Sequence, residues 1–333
     1  MDKPATGTAR ASQTGESVCG NARQKLIFRL GFESSLESAQ GIGAEEMVRV
    51  AAQQSEGRID IQLFPGSRLG NGGEMIKMVR AGDKLDLFHG GAGLFVSLES
   101  RLNIFDIPYL FDSLEDAYTV LDGEFGREML ASMEPSGLKG MAFWENGIRS
   151  ITNDSRPITS PEDLQGLKMR IMPDNAVYER IWKFFGCETT PMASSAVYEA
   201  IRNGIINSQE HPIAVIYARK FYEVQKYLSL TRHLYGPAIQ VMNLEKFDAL
   251  PLYQQDILMH ASSAGATAMR KYSNDNEAEF LREMKAGGLQ VNEVDVTLFK
   301  NRIRPVIEKE FVKKNGDTWL KRIEASIEIS KKQ

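Results

Sequence analysis

Leu26-Ile27-Phe28-Arg29-Leu30-Gly31-Phe32, together with the residues that follow as far as Gly66, decides the fold class. The seven residues read as a strand running into a glycine turn. Beyond it, Leu36, Ala39, Gly43, Met47, Val50 and Ala51 recur near one face of a helix. Ile59, Ile61 and Leu63 then alternate with Asp60 and Gln62, the pattern of a half-buried strand, and Pro65-Gly66 closes it. Strand, helix and strand make a β-α-β unit, whose crossover is expected to be right-handed.

The alternation continues outward. A helix is expected over residues 73–81, a short strand over 85–88, and a helix over 114–121 capped by Ser113 with Asp116. Residues 141–144 read as a strand. Ser160-Pro161-Glu162-Asp163 opens a short helix with a capping serine, an early proline and acids in the first turn. Strands over 167–172 and 205–209 alternate with helices over 177–185 and 196–203, closed by Gly186 and Gly204. The pattern predicts an α/β architecture with largely parallel sheets. Leu252–Ala286 differs: it has no proline and is rich in Ala, Glu, Met, Gln and Lys. One helix of that span would be about 50 Å long, enough to brace two domains.

Composition narrows the function classes. The chain has 333 residues, 42% hydrophobic and 25% charged, with a net charge of −4. The length favours two domains. Mixed charges exclude the basic stripe that nucleic acids require. No apolar run reaches membrane-spanning length, and no signal-peptide core stands at the start. Residues 1–24 read as a disordered leader. Of the two cysteines, Cys19 and Cys187, the simpler reading is independent thiols, with a bond between them left open.

Searches for catalytic chemistry find little. The four histidines, His89, His211, His233 and His260, stand at no metal-ligand spacing. Gly70-Asn71-Gly72-Gly73 lacks the lysine of a phosphate loop and the dinucleotide fingerprint, so it reads as a turn whose N–H groups could face a ligand. No nucleophile elbow is present. The expectation is therefore no catalytic residues, no metal and no cofactor.

A series of motifs between Trp144 and Tyr217 carries the functional reading. It runs Trp144-Glu145-Asn146-Gly147-Ile148-Arg149, Gly166-Leu167-Lys168-Met169-Arg170, Thr190-Pro191-Met192, and Gly204-Ile205-Ile206-Asn207-Ser208-Gln209-Glu210-His211-Pro212. Phe64-Pro65-Gly66-Ser67-Arg68-Leu69-Gly70 and Asp106-Ile107-Pro108-Tyr109 precede it. In number, order and spacing these motifs resemble the solute-binding proteins of tripartite ATP-independent periplasmic (TRAP) transporters, the dicarboxylate-binding-protein-like family. The resemblance runs from about Lys25 to about Ile327.

The resemblance implies a two-domain periplasmic-binding-protein-like fold with a hinged cleft and a long helix spanning both domains. One domain would take residues 25–147 plus about 236–268, the other 148–235 plus about 269–330. It implies a periplasmic monomer, not an enzyme, that hands a small carboxylate ligand to membrane permease subunits. Arg170 would pair with the ligand carboxylate, since a guanidinium fork matches carboxylate geometry. Arg149 would be a second cationic contact. His211 stands where many relatives carry asparagine, and an imidazole can gain charge near neutral pH. Glu74 matches an acidic position near the cleft, able to bind a ligand hydroxyl or merely to favour its helix start. Phe32, Glu33, Gly91 and Ala92 occupy strand exits. Ser194, with Ala193, Gly90 and Gly91, suggests extra room, and Met172 and Met192 could line it. The expected ligand is a monocarboxylate larger than a four-carbon diacid, either an aromatic or indolic acid or a sugar acid. A ligand-sensing receptor subunit, or an organic-acid lyase or isomerase, are the alternatives.

Overall fold

The structure, a computed structural model, describes residues 25–331. The expected leader and Cys19 lie outside the described residues. Cys187 is buried, with its thiol 3.3 Å from the Leu164 carbonyl oxygen.

The opening β-α-β unit forms as expected. β1 (Leu26–Phe32) pairs in parallel with β2 (Ile59–Phe64), from Leu26 opposite Ile59 to Gly31 opposite Phe64. The helix between them, Ala39–Gln54, starts where the Ser38 side chain accepts from the Gly41 N–H. It buries Ala39, Gly43, Met47, Val50 and Ala51. β3 (Leu87–Gly91) joins the other side of β1, again parallel.

The centre of the sheet departs from expectation. β4 (Leu138–Asn153) is 16 residues long, whereas its sequence shows a strand only over 141–144. The rest of the sheet comprises β5 (Lys168–Ile171), β6 (Glu188–Pro191), β7 (Ser208–Pro212), the 17-residue β8 (Tyr227–Asn243) and β9 (Gln290–Glu293). The strand order is β2-β1-β3-β8-β4-β7-β5-β6, with β9 on β8. Both ends are parallel, but β3–β8, β8–β4 and β4–β7 are antiparallel. The prediction of largely parallel sheets holds for the two ends and fails in the middle.

The two long strands read as broken in the sequence because their pairing carries a bulge. β4 shifts register on β8 between Glu145 and Gly147, where Gly147 faces Gly236 and Glu145 faces Pro237. Gly147 has φ +110°, a conformation that favours glycine. Asn-Gly and Gly-Pro read locally as strand breakers, yet a bulge accommodates both inside one continuous pair. These two long strands cross from one parallel end to the other and join them.

Leu252–Ala286 is one helix with the expected bounds. Leu258, Ala261 and Met269 enter the core around Phe28, Leu30, Met47 and Trp144. Further on, Phe280 and Met284 enter a second core with Val197, Ile201, Ile216 and Leu228. The helix therefore braces both lobes. Trp144 is fully buried, with its Nε1 donating to Ser262 Oγ at 3.2 Å. A Cβ on Gly265 would stand 2.5 Å from the Trp144 ring and 2.7 Å from the Gly43 carbonyl oxygen. Glycine is required there because the two helices clasp the indole at backbone distance. Among the described residues no helix is long and apolar enough to cross a membrane.

Candidate ligand-binding cleft

Strand exits from the two parallel ends face each other across a cleft of about 550 Å³, a size suited to a small molecule. Glu33, Asn71, Glu74 and Gly91 line it from the first lobe. Arg170, Met172, Ser194, His211 and Arg219 line it from the second, and Asn146 and Arg149 come from the crossing strand β4. Phe32 and Ala92, expected at the site from the sequence, are not on its walls. Phe32 is wholly buried in the core beneath β1, and Ala92 is 2% exposed within the core. A strand alternates its faces, so the residue one step from Glu33 points away from the ligand side. Gly90 and Met192 are not on the walls either. A Cβ at Gly90 would meet the Phe88 ring at 2.6 Å, and the Met192 side chain packs on the second lobe's core.

Arg170 is 3% exposed. Its Nε and Nη2 donate to the Met192 carbonyl oxygen at 3.0 and 2.8 Å. These bonds fix the guanidinium, but a carbonyl carries no compensating charge. Among the described residues Arg170 forms no ion pair. Burial accordingly lowers its pKa to about 10, a loss that the more distant Glu210 only partly offsets. A buried, oriented and uncompensated guanidinium is a receptor for an anion.

Arg149 is just as buried but differently partnered. Its Nε stands 2.5 Å from Glu210 Oε2, and its Nη2 donates to Glu210 Oε1 and to the Glu210 carbonyl, each at 2.8 Å. Burial pushes the Glu210 carboxyl up, and Arg149 more than reverses this, holding it at about 2. His233 Nε2 lies 3.2 Å from the same carboxylate. Arg149 thus lines the cleft, where a second cationic contact was expected, with its Nε and Nη2 engaged by Glu210.

His211 lines the cleft as expected, and its neighbours fix its tautomer. Gln225 Nε2 donates to the Asn207 carbonyl at 3.3 Å and Thr152 Oγ1 donates to Gln225 Oε1 at 2.8 Å. Gln209 Nε2 in turn donates to Thr152 Oγ1 at 2.5 Å. The direction of this chain leaves Gln209 Oε1 to accept from His211 Nδ1, so Nε2 remains an acceptor. Burial, then Arg149, Arg170 and Arg219, hold the imidazole pKa well below its ordinary value. It is a neutral group near pH 7 and not a charge switch. A neutral acceptor suits a ligand hydroxyl better than a second carboxylate.

The remaining expected residues divide. Glu74 Oε2 accepts from the Asn71 N–H at 2.8 Å and Asn71 Oδ1 accepts from the Glu74 N–H at 3.1 Å, a capping box that engages the carboxylate. Glu33 Oε1 accepts from the Gly72 N–H at 3.2 Å, so this turn offers its N–H to protein rather than to ligand. Gly91 faces Asn146: a Cβ there would stand 2.7 Å from Asn146 Nδ2. Met172 lines the wall beside Gly93, where a Cβ would be 3.0 Å from its sulfur. Sequence reasoning missed Arg219 and Asn146. Arg219 follows the helix Ile213–Ala218, and its Nε is buried without a hydrogen-bond partner.

Comparison with known proteins agrees with this architecture. Residues 30–314 match the family described as bacterial extracellular solute-binding protein, family 7. The 2,3-diketo-L-gulonate-binding periplasmic protein YiaO of Escherichia coli is 37% identical over 299 residues, 89% of this chain and 90% of that protein. A TRAP periplasmic solute-binding protein from a Polaromonas species, bound to D-erythronate, superposes with a TM-score of 0.86 at 36% identity, covering 91% of this chain and 98% of that one. The sugar acid binding protein DctPAm of Advenella mimigardefordensis, in complex with galactonate, gives 0.86 at 28% identity, covering 91% and 99%. A matching family over most of the length, a shared two-domain α/β fold and a cleft built around an unpaired arginine agree: the chain belongs to the family 7 extracellular solute-binding proteins, the substrate-binding components of TRAP transport systems rather than enzymes.

Proposed function

We propose that this protein captures a hydroxylated monocarboxylate of the sugar-acid class in the periplasm and delivers it to TRAP membrane permease subunits. The observation that carries the reading is Arg170, buried and oriented by Met192 yet lacking an acidic partner. The ligand carboxylate supplies the missing charge. Sugar acids are favoured over aromatic or indolic acids because no Phe, Tyr or Trp stands among the described lining residues. An indole would find no stacking surface, whereas hydroxyls meet Glu33, Asn71, Asn146, Ser194 and His211. The acids named for the three relatives are all of this class.

The domain division proposed from sequence, residues 25–147 with about 236–268 and 148–235 with about 269–330, puts the bulge of β4 and β8 at its boundary. Closure of a monomer about that bulge would exclude water and strengthen the carboxylate contact. The test is thermal unfolding against a panel of dicarboxylates, aldonates, uronates and aromatic 2-oxo acids, with mass spectrometry of any ligand released on denaturation. Concentration-dependent stabilisation by aldonates or uronates is expected. Stabilisation by aromatic acids or four-carbon diacids alone would refute the sugar-acid assignment.

A further inference from the structure

Arg219 is a half-buried cation of the cleft that the sugar-acid reading leaves unused. It sits on the second lobe, at the end of the helix Ile213–Ala218. Its Nε is buried and has no hydrogen-bond partner. Burial lowers its pKa, and the charge that acts against this is Glu33. Glu33 belongs to the opposite lobe, on the exit of β1. The two residues therefore sense each other across the cleft, yet among the described residues no direct ion pair joins them. Glu33 Oε1 is held by the Gly72 N–H, which orients the carboxylate.

A donor and an acceptor of opposite charge that line one cleft from opposite lobes and are not paired with each other are complementary to a hydroxyl. A hydroxyl donates one hydrogen bond and accepts others at the same oxygen. A carboxylate between them would meet Glu33 with like charge, and a methylene would desolvate both groups without offering either a hydrogen bond.

We infer that Arg219 and Glu33 form a clamp on ligand hydroxyls, one jaw on each lobe, and so set the preference for polyhydroxylated over aliphatic acids and tie that preference to cleft closure. This inference rests on the acid-capture reading through Arg170 and adds the group that recognises the rest of the molecule.

Calorimetric titration of D-galactonate, D-glucuronate and 2-hydroxyhexanoate into the full chain tests it. The last keeps the carboxylate and the adjacent hydroxyl but has an aliphatic tail. Wild type is expected to prefer the better polyhydroxylated acid. Arg219→Met should weaken that acid by about tenfold or more, and 2-hydroxyhexanoate by less than about threefold. Arg219→Lys should recover part of the loss. Glu33→Gln combined with Arg219→Met should lose less than the two single losses multiplied together, because each jaw acts through the other. Unfolding midpoints of the unliganded variants confirm that they fold. An unchanged preference in Arg219→Met, equal weakening of all acids, or a wild type that prefers 2-hydroxyhexanoate would each overturn the clamp while leaving acid capture intact. A wild type that binds no acid at all would overturn the acid-capture reading, and the clamp with it.

Discussion

Arg149 and Arg170 are equally buried, on neighbouring walls of one cleft, and they do opposite things. Arg149 spends its Nε and Nη2 on the carboxylate and carbonyl of Glu210. Arg170 spends the same two nitrogens on a single carbonyl, that of Met192. The first pair is closed: its charges cancel, and it ties β4 to β7 under the cleft floor. The second is open: it is aimed and rigid but lacks an anion. Burial alone does not mark a binding arginine. What marks it is an uncompensated charge that the protein has taken the trouble to orient.

The comparison breaks most visibly at the closed pair. Arg149→Met leaves Glu210 buried without a counterion, and the expected loss of unfolding free energy is about 3–5 kcal/mol. Denaturant unfolding measures it. Adding Glu210→Gln should recover most of the loss. A single variant as stable as wild type would mean that the pair is not structural.

Acid provides the next test. The Glu210 carboxyl is held at about 2, against an ordinary value of 4.5. Its folded-state pKa is depressed, so its contribution is fully present above pH 4.5 and disappears as pH falls from 4.5 towards 2. By linkage the contribution is at most about 3 kcal/mol. The double variant Arg149→Met, Glu210→Gln should lack this part of the acid slope. Identical slopes in the two proteins would contradict the assignment.

The smallest effect is expected at His211. Because its pKa lies well below 6.5, the imidazole stays neutral between pH 6 and 8. Ligand affinity should then vary by less than about twofold across that window. His211→Asn, which retains a side-chain acceptor, should change affinity by only a few-fold. A break near pH 6.5 that vanishes in this variant would show that the histidine titrates after all.

How much of this was legible in the sequence depended on whether the information was local. The opening β-α-β unit and the long helix declare themselves through period and composition, and both form with bounds close to those read. β8 escaped, and most of β4 with it, because Gly147 and Gly236-Pro237 look like breaks until each is seen to accommodate the other. Arg170 was found through its motif. That Arg149 is closed and Arg170 open was not legible, since Glu210 is 61 residues from Arg149 and meets it only through the β4–β7 register. Arg219 gives no local signal at all. In sequence it is one cation beside Lys220 at a helix end, and only the facing lobe turns it into part of a cleft.

The most direct test of the account is the ligand affinity of Arg170→Met, measured by calorimetry with the tightest-binding sugar acid and accompanied by the unfolding midpoint of the unliganded protein. Truncating one partner of a buried charge contact costs about 2–5 kcal/mol, so affinity should fall at least thirtyfold or so. Stability should be unchanged or higher, because the residue removed is a buried cation without a counterion. A folded Arg170→Met protein that binds the acid as tightly as wild type would contradict the central claim.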